Sequence, residues 1–258
     1  MEKILQERKG HIAVVTIDHP PANTWDLATT EAFAKVVEAL ETDSDIRVVV
    51  ITGSGDKYFS AGFDVKDAAN APKISPRARA LWTRIDRFPK PVIAAINGFA
   101  MGGGLELALA CHFRLMADAV AGAADARLGL TELNLGIIPG WGGTQRLTQV
   151  VGKAKALDLI LFSKTLTPAQ ALSIGLVNRV VAPDRLMDET LAFAEKLALR
   201  PPIAVGCVLK AISAGSYEGL DQGLKVEEEG SYIVRDSEDC KEGFAAFIEK
   251  RPPVFRGK

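Results

Sequence analysis

Strand-like and helix-like segments alternate through the first two-thirds of the chain, and beyond about Gly142 the pattern turns almost wholly to helix. His11 to Ile17 and the β-branched run Arg47 to Thr52 read as strands, the second ending in Gly53-Ser54-Gly55. Between them, Asp26 to Glu41 carries Phe33, Val36, Val37 and Leu40 on one helical face. Ser75 to Phe88 reads as a second helix, stopped by Pro89. Pro91 to Ile96 reads as a strand, Gly103 to Cys111 as a short buried helix, and Phe113 to Met116 and Ala126 to Leu130 as further strands. Helices are then expected over Thr144 to Val151, Lys153 to Leu161 and Pro168 to Ile174, with a short strand over Val177 to Val181. Four more follow over Asp184 to Leu199, Pro202 to Ala214, Tyr217 to Arg235 and Ser237 to Glu249. No low-complexity linker or repeat divides the sequence. The pattern predicts an α/β fold in one continuous unit, a mixed strand-and-helix core over about 1–196 followed by a wholly helical part over about 197–258.

Length and composition fit one large soluble unit: 258 residues, 48% apolar and 24% charged. A formal net charge of -1 provides no general attraction to nucleic acid or to an anionic membrane. No uninterrupted apolar run is long enough to span a bilayer. The N-terminus has neither the apolar core of a signal peptide nor the acid-poor composition of a transit peptide, so a cytoplasmic location is the expectation. Cys111, Cys207 and Cys240 are odd in number and far apart, which suggests neither a disulfide framework nor a zinc site. His11, His19 and His112 show no metal-ligand spacing, and no metal is expected. Cys111 reads as a packing residue and His112 as a helix-end residue.

Against this background two glutamates stand out. Glu106 is the sole charged residue between Lys90 and Arg114, and Glu132 the sole one between Arg127 and Arg146. Both stretches are apolar and glycine-rich. A carboxylate buried in such surroundings resists ionisation, so its pKa rises toward neutrality. Two of them sharing a site divide into proton donor and proton acceptor. The structural alternative is an exposed helix residue and a turn cap. Separated by 26 residues, the pair cannot share one helix face, and spacing alone does not bring them together.

Glycines cluster in three places: Phe59-Ser60-Ala61-Gly62-Phe63-Asp64, Gly102-Gly103-Gly104 and Pro139-Gly140-Trp141-Gly142-Gly143. None matches a phosphate-binding loop or a dinucleotide fingerprint, and three tight turns would account for them. Gly102 to Gly104 suggests more. Glycines opening an apolar helix leave free N–H groups at the positive end of its dipole, where a developing oxyanion can be held. Glu106 lies one turn further along that helix.

In order, the segments PPANTW, VVVITGSGDKYFSAGFDVKD, KPVIAAINGFAMGGGLELALAC, LGLTELNLGIIPGWGGTQRL and EGFAAFIEKR resemble the crotonase superfamily, also called the enoyl-CoA hydratase/isomerase family. The resemblance covers nearly the whole chain. It implies a spiral of ββα units with a helical C-terminal region that forms trimers, commonly paired into hexamers. It implies an oxyanion hole from the N–H groups of Phe63 and Gly103 around the thioester carbonyl of an acyl-CoA. Glu106 and Glu132 match the family's catalytic glutamates, and Gly140 the glycine whose N–H helps hold the water between them. CoA contacts are implied at Ala61, Gly62, Asp64 and Lys66, and at Lys250 toward a neighbouring subunit. The implied reaction is reversible syn hydration of a trans-2-enoyl-CoA, with Glu106 as base on water and Glu132 as proton donor to C2. Coenzyme A is part of the substrate, and no other cofactor is implied.

Departures from the family pattern are Phe63 and Trp141 where small residues are common, Thr131 where proline is common, and an alanine-rich insertion at 119–124. The insertion is expected to enlarge a surface loop, and Phe63 to narrow or redirect the acyl pocket. Rival activities are an enoyl-CoA isomerase, of a kind that often lacks the first glutamate, and a hydratase for cyclic acyl-CoA. A non-catalytic, RNA-binding member of the fold is the alternative of another class; near-neutral charge and both glutamates argue against it. Leu220, Leu224, Phe244, Phe247 and Ile248 recur at helical spacing, which ordinarily marks core and in this family marks a subunit interface.

Overall fold

A computed structural model describes residues 2–119 and 127–258. The insertion expected at 119–124 therefore lies, from 120 onward, outside the described residues. Among the described residues the strands are β1 (Ile4–Lys9), β2 (Ile12–Ile17), β3 (Thr24–Trp25), β4 (Val48–Gly53), β5 (Tyr58–Ser60), β6 (Gly62–Phe63), β7 (Val92–Ile96), β8 (Phe99–Met101), β9 (Phe113–Ala117), β10 (Leu128–Gly129), β11 (Thr165–Leu166) and β12 (Arg179–Val181). The α-helices are α1 (Leu27–Thr42), α2 (Ala71–Asp86), α3 (Gly103–Ala110), α4 (Gly143–Val151), α5 (Lys153–Leu161), α6 (Pro168–Ser173), α7 (Leu186–Ala198), α8 (Pro202–Glu218), α9 (Leu220–Arg235) and α10 (Glu238–Glu249).

The main sheet runs β1-β2-β4-β7-β9-β12, parallel except for the antiparallel β1–β2 pair. Strand β7 is wholly apolar and β4 nearly so, because both faces of the sheet are covered there. Val49, Ile51, Ala94 and Ile96 join the cluster containing Trp25, Phe33 and Trp82. Val48, Val50, Ile93 and Ala95, one position out of phase, pack with Leu186, Ala194 and Ala198 of α7. A smaller sheet runs β11-β10-β8-β5, and β3 pairs with β6. Along the chain each turn adds a strand to the main sheet, a short strand to a lesser sheet, then a helix: β2-β3-α1, β7-β8-α3, β9-β10-α4. This is the ββα spiral with a helical C-terminal region that the family resemblance implies.

Several boundaries move. Asp26 is the N-cap of α1, accepting from Thr29 N–H at 2.7 Å, rather than its first residue. The second helix begins at Ala71 and continues through Pro76. Tyr217 lies in the last turn of α8 instead of opening α9, because Gly219 at φ 96° separates the two helices. Helices α8 and α9 pack so closely that a Cβ on Gly223 would sit 2.7 Å from Gly215 Cα. The C-terminal apolar residues are not core in this chain: Phe244 is 68% exposed, Phe247 84% and Ile248 77%.

Candidate active site

In the small sheet, β8 pairs in parallel with β5 on one side and with β10 on the other. Parallel neighbours end at the same edge, so the segments that follow them converge. After β5 comes Ala61 to Phe63, after β8 the start of α3, and after β10 the 3-10 turn Glu132–Leu135. Ligands bind at such carboxyl edges in α/β sheets. A cleft of about 540 Å³ opens there, lined by Phe63, Gly103, Glu106, Glu132, Gly140 and Trp141 among others. Sheet pairing thus brings together the two glutamates that the sequence separates.

The two glycine turns touch. Gly62 adopts φ 87°, and a Cβ there would lie 2.8 Å from Gly103 N and from Met101 O. Asp64 N–H donates to Trp25 O at 3.2 Å. The alternation of amides along a strand turns the intervening Phe63 N–H the other way. Gly103 is the first residue of α3, where an N–H has no acceptor within the helix. Trp82 Nε1 donates to Gly103 O at 3.1 Å, and Trp141 covers Gly103 so tightly that a Cβ would stand 2.3 Å from its ring. Trp82 and Trp141 meet edge to face at 5.6 Å, and Trp141 and Phe63 at 6.4 Å.

Glu106 is only 2% exposed. Its Oε1 accepts from Trp141 N–H at 2.7 Å and Gly143 N–H at 2.8 Å. Burial raises its pKa, while these two amides and the charges of Arg146 and Arg79 pull it back. Glu132 lies over the start of α3, its Oε1 3.3 Å from where a Gly102 Cβ would be. Its Oε2 is buried without a hydrogen-bond partner among the described residues. Burial pushes Glu132 up to about 7, opposed by its own backbone N–H and reinforced by the charge of Glu106. One carboxylate is held by two donors and the other has a free oxygen, which is the asymmetry a donor–acceptor pair needs.

Other positions fall differently. Ala61 and Gly140 line the cleft; Gly62 shapes the turn beside it. Asp64 caps the 3-10 turn that follows, accepting from Lys66 N–H at 3.0 Å and from Thr24 Oγ1 at 3.1 Å. Lys66 is exposed and borders a separate hollow with Asp26, Asp64 and Asp67. Lys250 is the left-handed C-cap of α10, exposed and outside this cleft. Cys111 is buried and its thiol is pushed up to about 12 by that burial. His112 accepts from Val92 N–H at 2.9 Å through Nδ1, and burial pushes it down to about 4. Both are structural. Sequence reasoning passed over Trp82, Arg79 and Arg146. Arg79 Nε donates to Gly140 O at 2.9 Å, and buried Arg146 donates to Trp141 O at 3.0 Å. The signal for Arg146 was its place directly after the second lone-carboxylate stretch.

A spiral of this topology with this site defines a crotonase-fold enzyme, and comparison with known proteins agrees. The family model for enoyl-CoA hydratase/isomerase matches residues 7–258, and the chain belongs to that family. A probable enoyl-CoA hydratase of Bacillus subtilis is 41% identical over 255 residues, covering 96% of each chain. A short-chain-enoyl-CoA hydratase of Clostridium acetobutylicum is 38% identical, covering 97% of this chain and 96% of that one. The crystal structure of an enoyl-CoA hydratase from Bacillus anthracis superposes with a TM-score of 0.94 at 37% identity, covering 99% of this chain and 100% of that one.

Proposed function

We propose that this enzyme adds water reversibly and syn across a trans-2-enoyl-CoA to give a 3-hydroxyacyl-CoA. The observation that carries the reading is one cleft lined by two carboxylates in unlike environments and by Phe63 and Gly103. Glu106 takes a proton from water as the water oxygen bonds to C3. The C2–C3 π pair moves toward the thioester, whose oxygen becomes an enolate held by Phe63 N–H and Gly103 N–H. Glu132 then delivers its proton to C2, and Gly140 N–H helps fix the attacking water. Each oxyanion donor contributes about 3 kcal/mol to such a transition state. Coenzyme A is part of the substrate, and no metal or redox step is required by this chemistry. Loss of enoyl-thioester absorbance with crotonyl-CoA tests the proposal; formation of a shifted double bond without hydration would instead indicate an isomerase.

The pH dependence follows from the pair. Hydration needs Glu106 ionised and Glu132 protonated, and dehydration the reverse. Both are the same singly protonated pair, and the overall equilibrium involves no net proton. The kcat/KM profiles for the two directions are therefore expected to be the same bell. Its basic limb lies near 7, where Glu132 loses its proton, and its acidic limb is set by the pair's other titration. Profiles flat from pH 6 to 9, or different in the two directions, would contradict the assignment.

Assembly follows from the exposed C-terminal face. Leu220, Leu224, Phe244, Phe247 and Ile248 are all more than half exposed in the single chain, an apolar face that association would bury. A trimer, or a hexamer of two trimers, is expected by light scattering at micromolar concentration; an active monomer would exclude it. In that assembly Lys250 reaches a neighbour's CoA. Lys250→Ala is expected to raise KM modestly, and more at low salt, because exposed charge contacts are screened.

A further inference from the structure

One face of α2 supports the catalytic segment. Arg79, Thr83 and Asp86 are four and three residues apart, which aligns them along the helix. All three meet residues 140–146: Arg79 holds Gly140 O, Thr83 Oγ1 accepts from Arg146 Nη2 at 3.3 Å, and Asp86 Oδ2 accepts from Arg146 Nε at 3.0 Å. Arg146 Nη1 donates to Trp141 O at 3.0 Å, and the N–H of that same residue donates to Glu106. The hydroxyl of Tyr217, in the last turn of α8, donates to the same Asp86 Oδ2. We propose that Arg146 is a positioning residue for Glu106, held by Asp86 and Tyr217, so that the C-terminal helical region reaches the proton-transfer carboxylate through a continuous set of hydrogen bonds.

Energetics favour this role over a purely stabilising one. The Arg146 side chain is 7% exposed and that of Asp86 18%. A pair desolvated to that degree adds little net stability over an apolar pair of the same volume. What an apolar pair lacks is the guanidinium fork, whose fixed geometry lets one side chain engage Asp86, Thr83 and the Trp141 carbonyl together. Burial, then the bond to Asp86, push the Tyr217 phenol up to about 12, so it remains a donor. The charged groups facing Glu106 are Arg146 from α4, Arg79 from α2 and Glu132 from the 3-10 turn. Asp86 faces Arg146 and Tyr217, and its charge also reaches His112 and Arg114.

The inference rests on Glu106 acting in hydration, so the test separates the two. In the full-length protein, Arg146→Lys and Tyr217→Phe are each compared in the wild-type and Glu106→Gln backgrounds, with circular dichroism and light scattering to verify fold and assembly. With Glu106 present, Arg146→Lys is expected to lower kcat about 100-fold, the scale of a displaced catalytic group, and Tyr217→Phe about 3-fold, with KM for crotonyl-CoA within about twofold. In the Glu106→Gln background neither should cost more than about twofold, because residues acting through one group are not additive. Equal losses in both backgrounds, or no loss in kcat, would overturn the inference. Near-normal hydration by Glu106→Gln would overturn the underlying reading and the inference with it. Tyr217→Phe removes a single hydroxyl, so the comparison stands even if Arg146→Lys fails to fold.

Discussion

Glu106→Gln and Glu132→Gln are each expected to lower kcat for hydration by about 100-fold or more in a folded, assembled protein. The substitutions are chosen for shape. A glutamine oxygen at position 106 still accepts from Trp141 N–H and Gly143 N–H, so the 140–143 segment keeps its place and only the proton acceptor is lost. At position 132 the amide removes the group that burial brings to about 7 and leaves the cleft volume unchanged. Near-normal turnover by either variant would remove that residue from the mechanism. Loss in Glu132→Gln alone, with double-bond migration dominating, would assign the enzyme to the isomerases of its family.

A loss of similar size is expected from one added methyl group. Gly62→Ala puts a Cβ 2.8 Å from both Gly103 N and Met101 O, at φ 87°. Those neighbours are backbone and cannot swing aside, so the two turns must separate, and with them the N–H groups of Phe63 and Gly103. Losing one oxyanion donor costs about 100- to 1,000-fold in kcat, and the variant should lose about 100-fold while still binding coenzyme A esters. The matching control is Gly55→Ala, which has a comparable φ of 77° but nothing within 4 Å of the added Cβ. It carries backbone strain of about 1–2 kcal/mol without displacing either amide. If the two variants lose activity equally, strain rather than separation of the amides is the cause, and the oxyanion assignment fails. A bound acyl-CoA offers a direct check, with its thioester oxygen about 2.7–3.1 Å from both nitrogens.

The central strands were legible in the sequence because their requirement is local. Val48 to Ile51 and Val92 to Ile96 are apolar without interruption, the pattern of strands covered on both faces, and α1 announced itself through Phe33, Val37 and Leu40. Isolation within apolar stretches likewise marked Glu106 and Glu132 before any contact was known. Motif resemblance supplied the spiral and the roles expected of each residue. Elements such as β3 and β6 went unread, since two residues carry no periodicity. Strand β1 was missed for a different reason: only Ile4 of its six residues is buried.

By itself the sequence determined an α/β core with a helical end and two carboxylates that water would not readily solvate. Tertiary structure alone decided that they line one cleft together with Phe63 and Gly103, and that Trp82 and Arg146 brace the backbone around them. The cause is parallel pairing. When β5, β8 and β10 align, the segments that follow them meet at one edge although they are 26 or more residues apart in sequence, and strand order is a property of long-range packing that no local pattern of residues encodes.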